Sequence, residues 1–176
     1  ILGAPYIDEV PLAEELNLAF YEEAVKAGAH IMPLPGMPGT EEIFFKHASE
    51  EQLSFVSPVR KLMYETFDAM MVIEALHNSR ALAGVDPARM ARSRKANAPI
   101  TKIYLDRSAD GSLRWCLTVY PTNAMAQDAD MSLSDYRDFV YGAGLLNEPD
   151  PVAAWRKAGE RQQELIQWLA GKKHVT

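Results

Sequence analysis

The sequence predicts an α/β fold: a mostly parallel sheet with helices on both faces, forming a Rossmann-like three-layer body. Short apolar runs alternate with longer segments in which apolar residues recur at helical spacing. The chain opens in the order strand, helix, strand, which is typical of a right-handed βαβ unit in a parallel sheet. The run at 68–75 is almost continuously apolar, as expected of a strand that is buried on both faces.

The first half of the chain is predicted to begin with the tail of a buried strand at 1–5. A helix then opens at Asp8 or Glu9, with Pro11 in its first turn, where proline is tolerated. Gly28 ends that helix, because glycine readily adopts the left-handed conformation that follows a helix. The elements that follow are a strand, a loop, two short helical segments, a helix and the buried strand: 30–34, 35–40, 41–48, 49–52, 58–67 and 68–75.

The second half is predicted to start with a basic helix that opens at Asp86 and Pro87 and runs to Lys95. Its basic side chains are expected to face solvent: Arg89, Arg92, Arg94 and Lys95. Residues 100–107 fit both helical spacing and strand alternation, and we favour a helix. A strand rich in large apolar residues follows at 113–120, and an alanine-rich turn comes after it at 124–127.

The last two predicted helices have clear starting signals, because Ser132 and Asp150 are residue types that cap helix N-termini. The final helix extends to about Ala170, and residues 172–176 look like the start of a further strand. Its buried face is expected to consist of Val152, Trp155, Gln162, Leu165, Ile166 and Leu169. Because both ends of the chain fall inside predicted elements, we expect a single domain, 1–176, that is truncated at both ends.

Composition narrows the range of functions. The formal net charge is −6 and the pI is about 5.2, which argues against nucleic acid as a partner, because such domains carry a basic footprint. Cys116 is the single cysteine, so an internal disulfide and a multi-cysteine zinc site are excluded, and a buried, inert thiol is expected. No apolar run approaches the ~18 residues of a membrane span, and no secretory signal is visible, so a cytoplasmic location is expected.

Motifs that carry chemistry are scarce. The four histidines are far apart in the sequence and form no H-E-x-x-H motif, although a metal site assembled from distant residues stays open. The glycine-rich segment at 36–40 lacks the lysine of a phosphate-binding loop and is interpreted as a plain loop. Glu74 ends the buried strand, and carboxylates at the carboxyl ends of parallel strands often line ligand clefts.

The strand at 113–120 is flanked by residue types that are common in contact surfaces. Trp115 and Tyr120 are also good core residues, but the guanidinium of Arg114 needs a partner if it is buried. We therefore select four candidates for a contact surface: Arg114, Trp115, Tyr120 and Thr122.

A series of segments in the second half resembles the N-terminal domain of the thermophilic-type metalloaminopeptidases, the aminopeptidase T and aminopeptidase S family. The order and spacing of these segments agree with that family: 113–115, 120–122, 126–133, 136–141 and 150–155. Shorter upstream segments, 22–24, 27–30, 79–82 and 84–86, are also similar, so the resemblance covers nearly the whole chain.

This resemblance implies a parent protein that is a cytoplasmic, homodimeric exopeptidase acting on short peptides. Such enzymes use two divalent metal ions, zinc or cobalt, to activate water and stabilise the oxyanion. The resemblance also implies that the metal ligands belong to a C-terminal catalytic domain after Thr176, so we assign no catalytic or metal-binding residue here and expect the chain alone to be inactive. The four candidates would then contact the catalytic domain or the substrate cleft.

Two other functions stay open. The chain could be a stand-alone module that binds a small anionic ligand at the carboxyl ends of the strands, near Gly36 and Glu74 and with help from Arg80. It could also be a dimerisation scaffold without a ligand.

Overall fold

The structure, a computed structural model, describes residues 2–7 and 12–174, the first of these ranges as backbone only. The strands within these ranges are β1 (Leu2–Ile7), β2 (Ile31–Pro35), β3 (Ala69–Glu74) and β4 (Arg114–Val119). The helices are α1 (Glu14–Lys26), α2 (Thr40–His47), α3 (Glu50–Leu53), α4 (Pro58–Thr66), α5 (Pro87–Ala109), α6 (Asn123–Asp128), α7 (Leu133–Ala143) and α8 (Pro151–Leu169). The predicted helix opening at 8–11 lies outside the described residues.

The four strands form one sheet in the order β2-β1-β3-β4, and every neighbouring pair is parallel. Parallel neighbours need crossover connections, which α1, the α2–α4 segment and α5 provide in turn. The chain moves outward from β1 to β2 on one side and to β3 on the other. The point where the strand order reverses therefore lies between β1 and β3.

Helices cover both faces of the sheet, which confirms the predicted fold class. On one face, Ile73 and Ala75 are fully buried together with Ala13, and Leu16 of α1 packs against them. On the other face, the Trp115 ring packs on Tyr104 of α5 with 6.0 Å between ring centroids. Burial raises the pKa of the Tyr104 phenol above its usual value.

The predicted starts of the later helices are confirmed by capping hydrogen bonds. The Ser132 hydroxyl accepts from the Asp135 N–H at 3.1 Å, and the Asp150 carboxylate accepts from the Ala153 N–H at 2.9 Å. Each bond satisfies one of the N–H groups that the first turn of a helix leaves without a partner.

Helix α5 is longer than the sequence predicts. The predicted end at Lys95 is wrong, because the helix continues through Pro99 to Ala109, whereas the helical interpretation of 100–107 is confirmed. A proline costs a helix one hydrogen bond, but tertiary contacts compensate here. Ile100 is buried, and the Arg107 guanidinium donates to the Tyr64 carbonyl at 2.7 Å. The predicted turn at 124–127 is likewise the short helix α6.

Helix α8 has the predicted length, but the prediction that its apolar face is buried is wrong. The apolar members of that face are between 41% and 61% exposed, and Gln162 is exposed as well: Val152, Trp155, Leu165, Ile166 and Leu169. The periodicity identifies an apolar stripe correctly, but no described element covers it. No helix in the described part of the chain is both long and apolar enough to cross a membrane.

The prediction of a buried thiol at Cys116 is also wrong, because this side chain is exposed. β4 is the edge strand, so its side chains lack a neighbour beyond the sheet. An apolar run indicates a strand, but it does not show whether that strand lies at the centre or at the edge of a sheet.

Candidate functional site at the carboxyl edge of the sheet

Two segments leave the carboxyl ends of β3 and β4 side by side. The Tyr120 N–H donates to the Glu74 carbonyl at 2.7 Å, which extends the strand pairing by one residue. The Thr122 hydroxyl donates to the Leu76 carbonyl at 2.6 Å and accepts from the Met125 N–H at 3.3 Å. Thr122 therefore joins the two segments and also caps α6.

A cavity of about 640 Å³ opens beside these segments, within the size range of ligand pockets. Its wall combines residues that follow β1, β3 and β4 with residues of α7: Leu12, Glu15, Leu76, His77, Tyr120, Pro121, Thr122, Asn123, Ala124, Leu133, Arg137 and Tyr141. In parallel α/β sheets, ligands bind outside the carboxyl ends of the strands, where the strand order reverses. This cavity is therefore the best-placed candidate site in the described residues.

The four candidates from the sequence occupy opposite ends of β4. Tyr120 and Thr122 lie in the cavity wall at its carboxyl end. Arg114 and Trp115 lie at its amino end, about 16 Å away for five residues at ~3.3 Å each. The Arg114 side chain is exposed, and Trp115 is 52% exposed. The structure thus divides the four candidates into two pairs, and only Tyr120 and Thr122 lie at the cavity.

Sequence reasoning missed five polar residues of the cavity wall: Glu15, His77, Asn123, Arg137 and Tyr141. His77 follows the end of β3 by three residues, and this position at the carboxyl end of a buried strand is a signal that could have identified it. Arg137 and Tyr141 lie on α7 and have no such local signal. Their place in the wall depends on how α7 packs against the edge of the sheet.

The proposed anion site near Gly36 has unfavourable electrostatics. A smaller cavity, about 230 Å³, does open there, but Glu41 and Glu42 contribute to its wall. Arg80 is absent from that wall, and its guanidinium lies 3.8 Å from the Asp128 carboxylate instead. Two glutamates in the wall of a cavity disfavour an anionic ligand, so the structure gives no support to this alternative.

Within residues 12–174, no group of three or more His, Cys, Asp or Glu side chains converges in a way that could hold a metal ion. These residues do not fit a two-metal centre, which needs several such ligands around ions that are about 4 Å apart. We assign no metal-dependent step to them.

Comparisons with known proteins agree along nearly the whole chain. The family model described as thermophilic metalloprotease (M29) matches residues 6–176. Aminopeptidase 2 of Geobacillus stearothermophilus is 26% identical over 182 residues, which cover 98% of this chain and 43% of that protein. Wild-type AmpT from Thermus thermophilus has the same fold, with a TM-score of 0.67 and 21% identity over 96% of this chain and 42% of its own.

The chain spans about two fifths of the length of these relatives. The family model nevertheless extends across almost every residue of it, including β2 to β4 and all the described helices. The chain belongs to the thermophilic metalloprotease (M29) family.

Proposed function

We propose that this chain is the N-terminal, non-catalytic domain of a metal-dependent aminopeptidase that removes N-terminal residues from short peptides. The main support is the family match across residues 6–176, together with a relative named as an aminopeptidase of which this chain covers 43%. The parent would use two divalent ions, zinc or cobalt, held by its C-terminal catalytic domain. The homodimer and the cytoplasmic location expected for the parent stay predictions.

Within this proposal, the cavity at the carboxyl edge forms part of the wall of the substrate cleft. Tyr120 and Thr122 shape the wall from β4, while Arg137 brings a cation to it from α7. A short peptide carries a free carboxylate at the end remote from the bond that an aminopeptidase cleaves. Arginine binds carboxylates with two parallel hydrogen bonds, so Arg137 is suited to hold that end.

The activity is tested with the full-length parent on an aminoacyl anilide. We expect hydrolysis that a chelator abolishes and that added zinc or cobalt restores. The same preparation with metal present but no hydrolysis of any aminoacyl substrate would contradict the proposed function.

The part played by the cavity is tested by Arg137→Ala in the full-length parent. We expect the KM for a dipeptide to rise about fivefold, equivalent to ~1 kcal/mol, because a charge-assisted hydrogen bond is lost. The KM for an aminoacyl anilide should stay unchanged, since this substrate has no carboxylate. Arg156→Ala, an exposed arginine on α8, is the matched control. Equal changes for both substrates would argue against a carboxylate contact.

A further inference from the structure

The outer edge of β4 has no partner strand within the described residues. The Arg114 N–H donates to Asp68 and the Tyr120 N–H to Glu74, so the even-numbered amides of β4 point towards β3. The amides of Trp115, Leu117 and Val119 therefore point outward, away from the sheet. Parallel sheets are normally covered on both faces, and their edge strands are usually protected from pairing with another chain. This edge is apolar and uncovered in the described residues.

The apolar stripe of α8 is a second uncovered surface. Its members fall within an arc of about 140° around the helix, while the opposite side carries charged and amide side chains together with Trp168. Every residue from 159 to 174 is exposed, including Leu165 at 59% and Ile166 at 58%. Helices gain most of their stability by packing an amphipathic face, so a bare stripe of this size indicates an interaction surface.

The usual handedness of parallel crossovers would bring the two surfaces to the same face of the sheet. β3 connects to β4 through α5, and α5 lies on the face of the sheet that carries Trp115. A right-handed crossover from β4 to a further parallel strand on its outer side would place α8 on that same face. Trp115 and Leu117 alternate along β4 on that face and are 52% and 48% exposed, so the stripe of α8 could cover them.

We infer that the outer edge of β4 and the apolar stripe of α8 together bind the C-terminal part of the parent chain, which adds a fifth parallel strand beside β4. This inference rests on the proposed function. Relatives are more than twice as long as this chain, and α8 is its last described helix, so the following segment starts next to the surface. A tethered segment has a high effective concentration, which favours it over a second copy of the chain.

The test is residue-resolved amide hydrogen exchange on the full-length parent. We expect the amides of Trp115, Leu117 and Val119 to exchange as slowly as the inward-pointing amides of Cys116 and Thr118. Outward amides that exchange at the rate of unstructured peptide, while the inward amides stay protected, would overturn the inference. Protection that disappears on tenfold dilution would overturn it too, because a second copy would then cover the edge.

A pair of neighbouring substitutions tests the role of α8. Ile166→Asp places a charge in the apolar stripe, whereas Gln167→Asp places it on the polar side of the same turn. Exchange of the three outward amides should become at least about tenfold faster with Ile166→Asp only. Equal effects of the two variants would contradict a role of the stripe. Protection of the β3 amides shows whether each variant is folded. If Ile166→Asp does not fold, the exchange of the outward amides in the unmodified parent still tests the inference.

Activity and exchange separate the two proposals. If the outward amides are protected in a parent that has no aminopeptidase activity, the docking surface is supported and the proposed function is contradicted. If the parent is active but its outward amides are unprotected, the proposed function is supported and the docking surface is contradicted.

Discussion

The Thr122 hydroxyl connects two segments that form the candidate site. Thr122 was selected from the sequence as a contact residue, and its role as a contact residue stays a prediction. What the structure does show is a side chain with only 5% exposure that bonds to Leu76 and to the first turn of α6. A buried hydroxyl with both bonds made stabilises the fold, and losing them leaves the Leu76 carbonyl without that donor.

Thr122→Val should lower the free energy of unfolding by about 1–3 kcal/mol, because it keeps the shape of the side chain and removes both hydrogen bonds. Thr122→Ser keeps the hydroxyl and should cost much less. Urea unfolding of the three proteins measures the difference. A valine variant as stable as the serine variant would show that these bonds contribute nothing.

Asp110 makes the turn before β4 sensitive to pH. Hydrogen bonds from the Ser112 side chain and from its backbone N–H, at 2.8 Å, lower the pKa of the Asp110 carboxyl below its usual value. A pKa that is lower in the folded state stabilises the fold above the unfolded value of about 3.9, and this contribution is lost as the pH falls. The stability advantage over Asp110→Asn should therefore shrink from pH 6 towards acid. An advantage that is constant in urea unfolding across that range would contradict the assignment.

At the scale of elements, one arginine joins three helices. The basic face of α5 was predicted to face solvent, but the Arg89 guanidinium donates to the carbonyls of Phe45 and Ala48 at the end of α2. It also lies 3.7 Å from Glu50 of α3, which pairs with Arg92 at 2.6 Å. The prediction is wrong for Arg89, because the carbonyls at a helix C-terminus and the acidic start of the next helix attract cations, whereas Arg92 pairs with Glu50 and stays exposed.

Arg89→Lys should lower the free energy of unfolding by about 1.5–3 kcal/mol, although the charge is kept. A lysine cannot reach two carbonyls in the fixed geometry of a guanidinium. Arg94→Lys, on an exposed position of the same helix, is the matched control and should change stability little. Similar losses for both variants would indicate a general effect on α5 instead.

The elements themselves were largely predictable, because their signals are local. Caps such as Ser132 and Asp150 fix helix starts, and Gly28, with a φ of +78°, ends α1 where the sequence predicts. Errors arose where distant contacts decide the outcome. The contacts of Ile100 and Arg107 hold α5 together across Pro99, and no pattern near Pro99 reveals them.

At the scale of the whole molecule, the sheet order determines what the sequence could not assemble. The carboxyl-edge cavity combines residues that follow three strands with residues of α7, so only the topology brings Tyr120, His77 and Arg137 together. Periodicity identified the apolar stripe of α8 and the strand β4. Whether a stripe is covered by the same domain or by another part of the protein depends on elements beyond these residues.

The central claim is that this chain is non-catalytic and that the rest of its parent carries the catalytic groups. Its most direct test is the release of the aniline from an aminoacyl anilide by the purified 176-residue chain, with zinc or cobalt added. We predict no turnover above the blank, because the catalytic groups are expected in the C-terminal part of the parent. Turnover that survives repurification and disappears in the metal-free control would contradict this account.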